Sequence, residues 1–392
     1  MNVLICTAFD IEVPCAGLNR LSKMSEALKS EGVNCFIGVG CKKGLSDAMC
    51  FDEVNGVTYV LFSREKYKQR RHSKTLQFCA EATAFYYQNL DYLKSKLFLS
   101  GIIIYAPQGQ MVSPLTKLAK SLRMFTVADC GEYYDPTIKY LLNGIVYQQA
   151  LFRYRDFKAL NGVIAPGVKW AAQSDKAGVP SVFIPGFIDS VGAYRKKPAS
   201  VGPVNITYMG RFVSRELPDV IIKAIEILIA KQVPFHFHHI GNAGDSALAR
   251  RCLKRLKQLN CVNARFVEWG FVSQTKRDEI LADSDVFILL RKQCSETEFL
   301  FPSRMLEYLS SGNPTILSDV RYINALFSEG QGVCFIPPSN KPEDIASKIE
   351  ELWRSPPQAF QIGKMGRAFV RQTFRKNLLG KKLADFLKGL DY

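Results

Sequence analysis

Short apolar runs alternate with amphipathic helical patterns along the chain. Between the first two runs, apolar residues recur at helical spacing, at Leu18, Leu21, Met24 and Leu28. Runs rich in β-branched and aromatic residues predict buried strands in the first half at residues 3–6, 35–39, 57–62, 97–105, 125–127 and 163–164. Because strands separated by helices usually pair in parallel, this alternation predicts an α/β protein with parallel sheets between helices.

A change in composition divides the chain near its middle. Residues 190–203 are rich in small, basic and proline residues, as a linker would be. The strand pattern then restarts at residues 204–209, 235–240, 264–267, 286–290, 315–317 and 332–336. We therefore predict two α/β domains, 1–192 and 203–370, and a helical tail, 371–392, that could cross back to the first domain.

The length and composition of the chain narrow the class of protein to which it can belong. The 392 residues favour two domains, and no stretch approaches the roughly 18 apolar residues that a membrane-spanning helix needs. The start lacks the basic region and cleavage site of a signal peptide, so we expect a cytoplasmic protein. Eleven scattered cysteines without a CxxC indicate reduced thiols. His236 and His238 share a strand face but lack a third ligand at a usual spacing, so no metal is expected.

The net charge of +16 suggests a phosphate-bearing partner. Nucleic acid, an anionic membrane surface and a phosphorylated small molecule all fit that charge. The densest basic run, residues 66–74, could touch lipid head groups at the inner face of the membrane, or it could be a solvated loop. Because no nucleic-acid-binding module is recognisable, nucleic acid is not expected as the partner.

Parallel sheets bind ligands at the carboxyl ends of their strands. The strand at 204–209 is followed by Arg211 and Arg215, which could clamp a diphosphate or simply be surface arginines. The strand at 235–240 is followed by a turn containing Gly241, which could cradle phosphate or serve close packing.

The segment FPSRMLEYLSSGNPTILSD, residues 301–319, predicts a helix followed by a buried strand. Ser303 is the predicted N-cap and Arg304 lies in the first turn. Glu307 shares the side opposite the apolar stripe with Arg304. Glu307 could form an exposed i,i+3 ion pair with Arg304, or it could accept hydrogen bonds from the ribose of a nucleotide.

Several of these segments, in this order, resemble family 4 of the retaining glycosyltransferases. They are MGRFV at 209–213, HIG at 239–241, ADSDVFIL at 282–289 and residues 301–319. The first half resembles the family more loosely, through Gly17 after the first strand and IPGFID at 184–189.

This resemblance implies a GT-B fold, in which two Rossmann-like domains face each other across a cleft. The C-terminal domain would bind a nucleotide-sugar donor and the N-terminal domain an acceptor, for which a glycan or a lipid-linked intermediate is expected. No metal or further cofactor is implied. By position, Arg211 would bind the donor phosphates, Ser303 and Arg304 would present helix-start groups to them, and Glu307 would hold the ribose. The remaining residues predicted on the donor side are Gly17, Arg215 and Gly241.

Two positions depart from the family pattern. Glu216 stands where the family usually has a lysine, although the neighbouring Arg215 could substitute for it. Phe299 occupies the first position of the family's paired glutamates, and Glu298 and Glu296 lie close by. We expect Glu298 and Arg211 to take part in catalysis.

The acceptor side of the reaction is predicted less directly. Asp129 and Glu132 follow the strand at 125–127 and are the catalytic candidates there, although either could be a helix cap instead. Three alternatives remain open at this stage: an enzyme of the same fold with other chemistry, such as a nucleotide-sugar epimerase; a basic nucleic-acid-binding protein; and an inactive GT-B partner subunit.

Overall fold

The computed structural model describes residues 1–13, 15–41, 48–68, 74–134, 136, 141–188, 194 and 202–390. They form two compact units. The first comprises Met1–Phe187, Glu298–Phe301 and Lys376–Tyr392, and the second Ile188–Thr297 and Pro302–Arg375. Most of the predicted linker, at 190–193 and 195–201, and residues 69–73 of the basic run lie outside the described residues.

The first unit is built on one sheet, which has eight strands within the described residues. The strands are β1 Asn2–Asp10, β2 Asn34–Cys41, β3 Met49–Val54, β4 Val57–Ser63, β5 Gly101–Tyr105, β6 Phe125–Asp129, β7 Gly162–Ala165 and β8 Ser181–Phe183. Their spatial order is β3-β4-β2-β1-β5-β6-β7-β8, and β3 pairs antiparallel with β4 while the other pairs are parallel. The order in which successive strands are added to the sheet reverses between β1 and β5, so the switch point of this sheet lies there.

Helices cover this sheet because its strands are apolar on both faces. They are α1 Ala16–Lys29, α2 Lys74–Leu97, α3 Gly109–Ser121, α4 Ile145–Leu151 and α5 Val168–Ala177. Short helical turns lie at Glu65–Tyr67, Phe152–Asp156 and Phe157–Ala159. Buried aliphatic residues of β1, β5 and α3 share one core with the aromatic residues Phe85, Tyr86 and Trp170.

The second unit has a sheet of six parallel strands within the described residues. They are β9 Val204–Met209, β10 Phe235–Ile240, β11 Ala264–Gly270, β12 Val286–Leu289, β13 Thr315–Ser318 and β14 Val333–Ile336. The order β11-β10-β9-β12-β13-β14 is the doubly wound order of dinucleotide-binding folds. Its switch point lies between β9 and β12.

The helices of the second half are short where they approach the strand ends and longer elsewhere. They are α6 Pro218–Ala230, α7 Ala247–Gln258, α8 Gln274–Asp283, α9 Ser295–Phe299, α10 Arg304–Ser310, α11 Arg321–Asn324, α12 Pro342–Arg354, α13 Pro356–Thr373 and α14 Lys376–Lys388. Ser214–Glu216 forms one tight turn before α6. Helix α14 belongs to the first unit, where Gly380 approaches the Ala27 backbone of α1.

The strand predictions hold closely in the second half and less well in the first. The predicted strand at 97–105 is wrong at its start, because α2 continues to Leu97 and β5 begins only at Gly101. The edge strand β3 was not predicted, and its antiparallel pairing departs from an all-parallel sheet. Its outer end is exposed, so it lacks the apolar run that marks the buried strands. No helix in the described part of the chain is long and apolar enough to cross a membrane.

Candidate active site

The switch point of the second sheet collects arginine side chains. Gly210 and Arg211 follow β9, Arg291 follows β12 after Leu290, and Arg304 begins α10. Strands β9 and β12 are hydrogen-bonded neighbours, so the segments that follow them leave the sheet side by side. Ligands of open α/β sheets bind in this place, because loops and helices diverge there and leave a crevice.

The Arg304 guanidinium is fixed at the end of β9. One nitrogen, Nη1, donates to the Met209 carbonyl, and the other, Nη2, donates to Glu216 Oε1. A Cβ atom on Gly210 would overlap the guanidinium, and Gly210 has φ +112°, so glycine is required on both counts. Burial lowers the pKa of Arg304, but the nearby Glu216 carboxylate more than offsets this and holds that pKa above its ordinary value.

Glu216 is a fully buried carboxylate with three partners. The Tyr208 hydroxyl donates to its Oε2 at 2.6 Å, Arg304 donates to Oε1, and Arg291 Nη1 lies 3.6 Å from Oε1. Burial would raise the pKa of Glu216, yet the charges of Arg304 and Arg291 bring it below the ordinary glutamate value. The carboxylate is therefore ionised at neutral pH and serves as an anchor for arginines.

The two arginines predicted from the sequence have different surroundings. Arg211 is exposed, and its methylene groups extend toward Gly244 in the turn after β10. Arg215 Nη1 donates to Glu296 Oε1 at 2.7 Å, in a half-exposed pair. Arg211 is thus placed to meet a ligand directly, whereas Arg215 is already neutralised by its neighbour.

The turn at Gly241 is explained by backbone geometry. Gly241 has φ +96°, which favours glycine, and a Cβ there would stand 3.8 Å from the Gly210 backbone. Its N–H donates to the Gly270 carbonyl at 2.7 Å. The positive φ therefore accounts for glycine at this position, and the role of Gly241 in phosphate binding stays a prediction.

Helix α10 begins where the sequence predicted. Ser303 occupies the N-cap position and is exposed, but its side chain makes no capping hydrogen bond within the described residues. The N–H groups of Met305 and Leu306 donate to the Pro302 and Ser303 carbonyls at 2.8 and 3.1 Å. Ser303 and Arg304 therefore carry the remaining first-turn amides that a phosphate could meet.

Glu307 lies in the first turn of α10, and its side chain is 31% exposed. Its Oε2 is 3.4 Å from Nε of Arg277 on α8, although the geometry does not make a hydrogen bond. The alternative of an i,i+3 ion pair with Arg304 is wrong, because Arg304 turns inward to Glu216. Glu307 retains acceptor capacity for a sugar hydroxyl.

In the first unit, Asp129 is the most buried of the predicted catalytic residues. Arg20 of α1 donates to both of its carboxylate oxygens at 3.1 Å, and Arg20 Nη2 also donates to the Ile184 carbonyl at 2.9 Å. Burial raises the pKa of Asp129, and the Arg20 charge opposes that rise. The pair joins β6 to α1 and to the segment after β8, so in this structure Asp129 holds backbone elements together.

Glu132 and Gly17 lie near the ring of Tyr105, at the carboxyl ends of β1, β5 and β6. Burial raises the pKa of the Tyr105 hydroxyl, and the carboxylates of Glu132 and Asp129 add to that rise. A Cβ on Gly17 would overlap the Phe9 ring and stand 3.0 Å from the Tyr105 hydroxyl. Close packing therefore accounts for Gly17. Glu132 is half-buried and follows the carboxyl end of β6.

Glu298 and Phe299 are part of the first unit although they come from the second half of the chain. Glu298 forms an ion pair with Lys169. Phe299 is buried against Tyr133 and Trp170, with ring centroids 4.2 and 4.7 Å apart. The residue at the first glutamate position of the family is thus an aromatic anchor, and Glu298 is the neighbouring carboxylate.

Sequence reasoning missed three arginines that the structure places beside predicted residues: Arg20, Arg277 and Arg291. Arg291 directly follows an unbroken apolar run, as Arg211 nearly follows another, so the rule of strand carboxyl ends could have found it. Arg20 and Arg277 lie within helices and reach their partners only through tertiary packing. No local pattern in the sequence marks those two.

Comparison with known proteins agrees with the class that this fold defines, the GT-B-like α/β proteins. The chain is similar to sucrose-phosphate synthase (tll1590) from Thermosynechococcus elongatus, at TM-score 0.71 and 15% identity over 99% of this chain and 98% of that one. It is similar to Anabaena Alr3699/HepE in complex with UDP-glucose, at TM-score 0.69 and 14% identity over 100% of both chains. A trehalose-6-phosphate synthase studied for glycosyl transfer with retention gives TM-score 0.66 and 10% identity over 99% of both chains.

Residues 203–355 match the family model of glycosyl transferases group 1. Residues 203–355 are therefore a group 1 glycosyltransferase domain, and the resemblance found in the sequence is confirmed. No curated protein sequence matches the chain significantly.

Proposed function

We propose that this glycosyltransferase moves a hexosyl group from a nucleoside diphosphate sugar to an acceptor hydroxyl with retention of configuration. UDP-glucose is the first donor to test, because it is bound in one of the similar structures. Retention is the outcome studied in another. In the transfer, the bond between the anomeric carbon and the diphosphate oxygen breaks, the acceptor oxygen bonds to that carbon, and the acceptor proton leaves.

The observation that carries this proposal is the guanidinium of Arg304, fixed beside exposed Arg211 at the switch point of the second sheet. Breaking the glycosidic bond places negative charge on the departing diphosphate. Fixed cations that need no reorganisation stabilise that charge in the transition state. Within this proposal Arg211 contacts the phosphates, Ser303 and Arg304 offer first-turn amides, and Glu307 accepts hydrogen bonds from the ribose.

The acceptor side rests on fewer groups. Asp129 is engaged by Arg20 through both carboxylate oxygens, so its part in the reaction would be to position the end of β6. Glu132, half-buried near Tyr105, is the better candidate to receive the acceptor proton. Glu298, held by Lys169, is the carboxylate that would stand nearest the family's glutamate position.

The acceptor we favour is a glycan or a lipid-linked intermediate. The net charge of +16 would draw the protein to an anionic surface, where such intermediates are built. We propose peripheral contact with the inner face of the membrane as the setting of the reaction. Cosedimentation with vesicles containing anionic lipid, compared with neutral vesicles, tests this separately from donor binding.

Thermal unfolding in the presence of ADP, GDP, UDP and their hexose conjugates tests the donor assignment, because a ligand that binds the folded state raises its Tm by mass action. We expect one nucleoside diphosphate to raise the Tm clearly above its free nucleoside. Transfer from the matching nucleotide sugar to added acceptors then reports activity, and the anomeric configuration of the product reports retention.

Three rival functions predict different results. A nucleotide-sugar epimerase on this fold would convert the donor without forming a glycosylated product. An inactive partner subunit would bind the nucleoside diphosphate without turning over its sugar conjugate. A protein that showed no Tm shift with any nucleotide, but bound nucleic acid in a steeply salt-dependent way, would overturn the proposal.

A further inference from the structure

A buried acid at the switch point binds two arginines at once. Glu216 has no solvent exposure, and Arg291 is only 5% exposed. Glu216 Oε1 accepts from Arg304 and lies 3.6 Å from Arg291 Nη1, while Oε2 accepts from Tyr208. A buried carboxylate with one arginine would already be neutralised, so the second arginine requires another reason.

The charge of this cluster gives that reason. Glu216 contributes one negative charge, and Arg291 and Arg304 contribute one positive charge each, so the three groups together carry a net single positive charge. Arg215 and Glu296, by contrast, form a neutral pair nearby. If Arg291 were uncharged, the pair of Glu216 and Arg304 would be neutral and would attract a phosphate only weakly.

The side chains of the two arginines differ in their exposure to solvent. Arg304 has a side-chain exposure of 19%, and its guanidinium lies against Gly210 at the end of β9. Arg291 is enclosed. Its backbone N–H donates to Ser318 Oγ at 2.8 Å, and the buried Nε of its side chain has no hydrogen-bond partner among the described residues. Arg304 is therefore the more exposed of the two arginines, and Arg291 is the more deeply buried one.

We propose that Glu216 and Arg291 are positioning residues that fix the Arg304 guanidinium and keep its positive charge available for the terminal phosphate of the donor. This inference rests on the proposed function, because it assigns the phosphate contact within that site. Glu216 supplies the geometry by holding Nη2 of Arg304. Arg291 supplies the counter-charge, so that the anchor does not cancel the charge that it positions.

The test uses the full-length chain and compares the dissociation constants of UDP and UMP by isothermal titration calorimetry. The ratio of UMP to UDP dissociation constants isolates the contribution of the terminal phosphate. We expect Arg291→Gln to reduce that ratio by about tenfold, the loss of one charge-assisted interaction. We expect Glu216→Gln to reduce it as well, although this variant adds positive charge, because the Arg304 anchor is weakened.

Glu296→Gln is the matched control, since it also removes one negative charge at this edge but leaves the Arg304 anchor in place. If charge alone governed binding, Glu216→Gln and Glu296→Gln would both raise the ratio, and that result would overturn the positioning role. Glu216→Asp, which keeps the charge on a shorter side chain, should recover part of the ratio. If Glu216→Gln fails to fold, Glu216→Asp decides, because it keeps the charge and changes only the geometry of the anchor: a ratio below that of the wild type supports the positioning role, and an unchanged ratio overturns it.

The same experiment separates failure of the inference from failure of the proposed function. If the wild-type chain binds no nucleoside diphosphate in the panel above, the proposed function itself is wrong. If the wild-type chain binds UDP and the ratio is unchanged in Arg291→Gln and Glu216→Gln, the donor site stands and the positioning role is wrong. Should another nucleoside diphosphate bind better than UDP, it and its monophosphate replace the uridine pair.

Discussion

Replacing Glu307 by alanine tests the proposed ribose contact, which is the most specific part of the proposed donor site. The carboxylate faces Arg277 at 3.4 Å and is about one third exposed, so this ion pair contributes under about 1 kcal/mol to folding. We therefore expect Glu307→Ala to fold with little change in Tm. Any large loss of nucleotide binding in this variant would then report a ligand contact.

The size of that loss follows from the chemistry of the contact. A hydrogen bond from a sugar hydroxyl to a carboxylate contributes about 1.5–3 kcal/mol. Because Arg277 competes for the same oxygen, we expect the lower part of that range, about 1.5–2 kcal/mol, which is roughly a 10–30-fold larger dissociation constant. The assay is calorimetric titration of UDP, or of the nucleoside diphosphate that binds best, into both proteins.

A ligand without ribose hydroxyls provides the control. The wild-type chain should bind the 2′,3′-dideoxy diphosphate more weakly than the ribonucleotide, and Glu307→Ala should show no such difference. If the variant loses affinity equally for both ligands, the carboxylate acts on the site in some other way. If it loses affinity for neither, Glu307 does not belong to the donor site.

Three further predictions concern other residues. Arg211→Ala should lower kcat/KM at least tenfold, the loss of one charged contact, with an unchanged Tm, because Arg211 is exposed; a variant that unfolds instead would make this arginine structural. Asp129→Asn should lower Tm by roughly 10 °C, because breaking a buried ion pair costs about 3–5 kcal/mol. Glu132→Gln, by contrast, should keep its Tm and lose turnover. Thermal scans and transfer assays on both variants distinguish the two roles. Burial lowers the pKa of His238 to about 4, so the unfolded state binds more protons between pH 4 and 6.5, and this residue alone should reduce stability by about 2 kcal/mol from pH 7 to pH 5 in urea titrations. His238→Gln should remove that part of the slope and leave the part that comes from His239, whose pKa burial also lowers.

The sequence located the second sheet well because its strands are short, apolar and bounded by polar turns. The strands β9 and β10 begin and end at the predicted residues, and the start of α10 was predicted from Pro302 and Ser303. The first half was harder, since the exposed strand β3 carries little apolar pattern, and Leu97, at the start of the predicted strand, is the last residue of α2. The spacing of apolar residues reflects which positions are buried. It therefore predicts half-exposed elements, and the boundaries between adjoining elements, least well.

Side-chain pairing was the part that sequence could not supply. Glu216 was identified as a departure from the family lysine, but its partners come from residues 75 and 88 positions further along the chain. The same holds for Asp129, whose partner Arg20 precedes it by 109 positions. Spacing rules apply within a helix or strand, so ion pairs between distant elements become visible only in the folded chain.

These long-range pairs change how the departure at Glu216 should be interpreted. A glutamate in place of a lysine lowers the charge of the phosphate-binding edge by two, which by itself would favour an inactive subunit. In the structure, however, the carboxylate is buried; it is enclosed by Tyr208, Arg291 and Arg304, and its charge is balanced there. The cluster keeps a net single positive charge, and Arg304 is its most exposed member. A buried anchor of this kind preserves what the leaving diphosphate requires, which is a fixed cation at the end of β9, so the departure at Glu216 is compatible with catalysis.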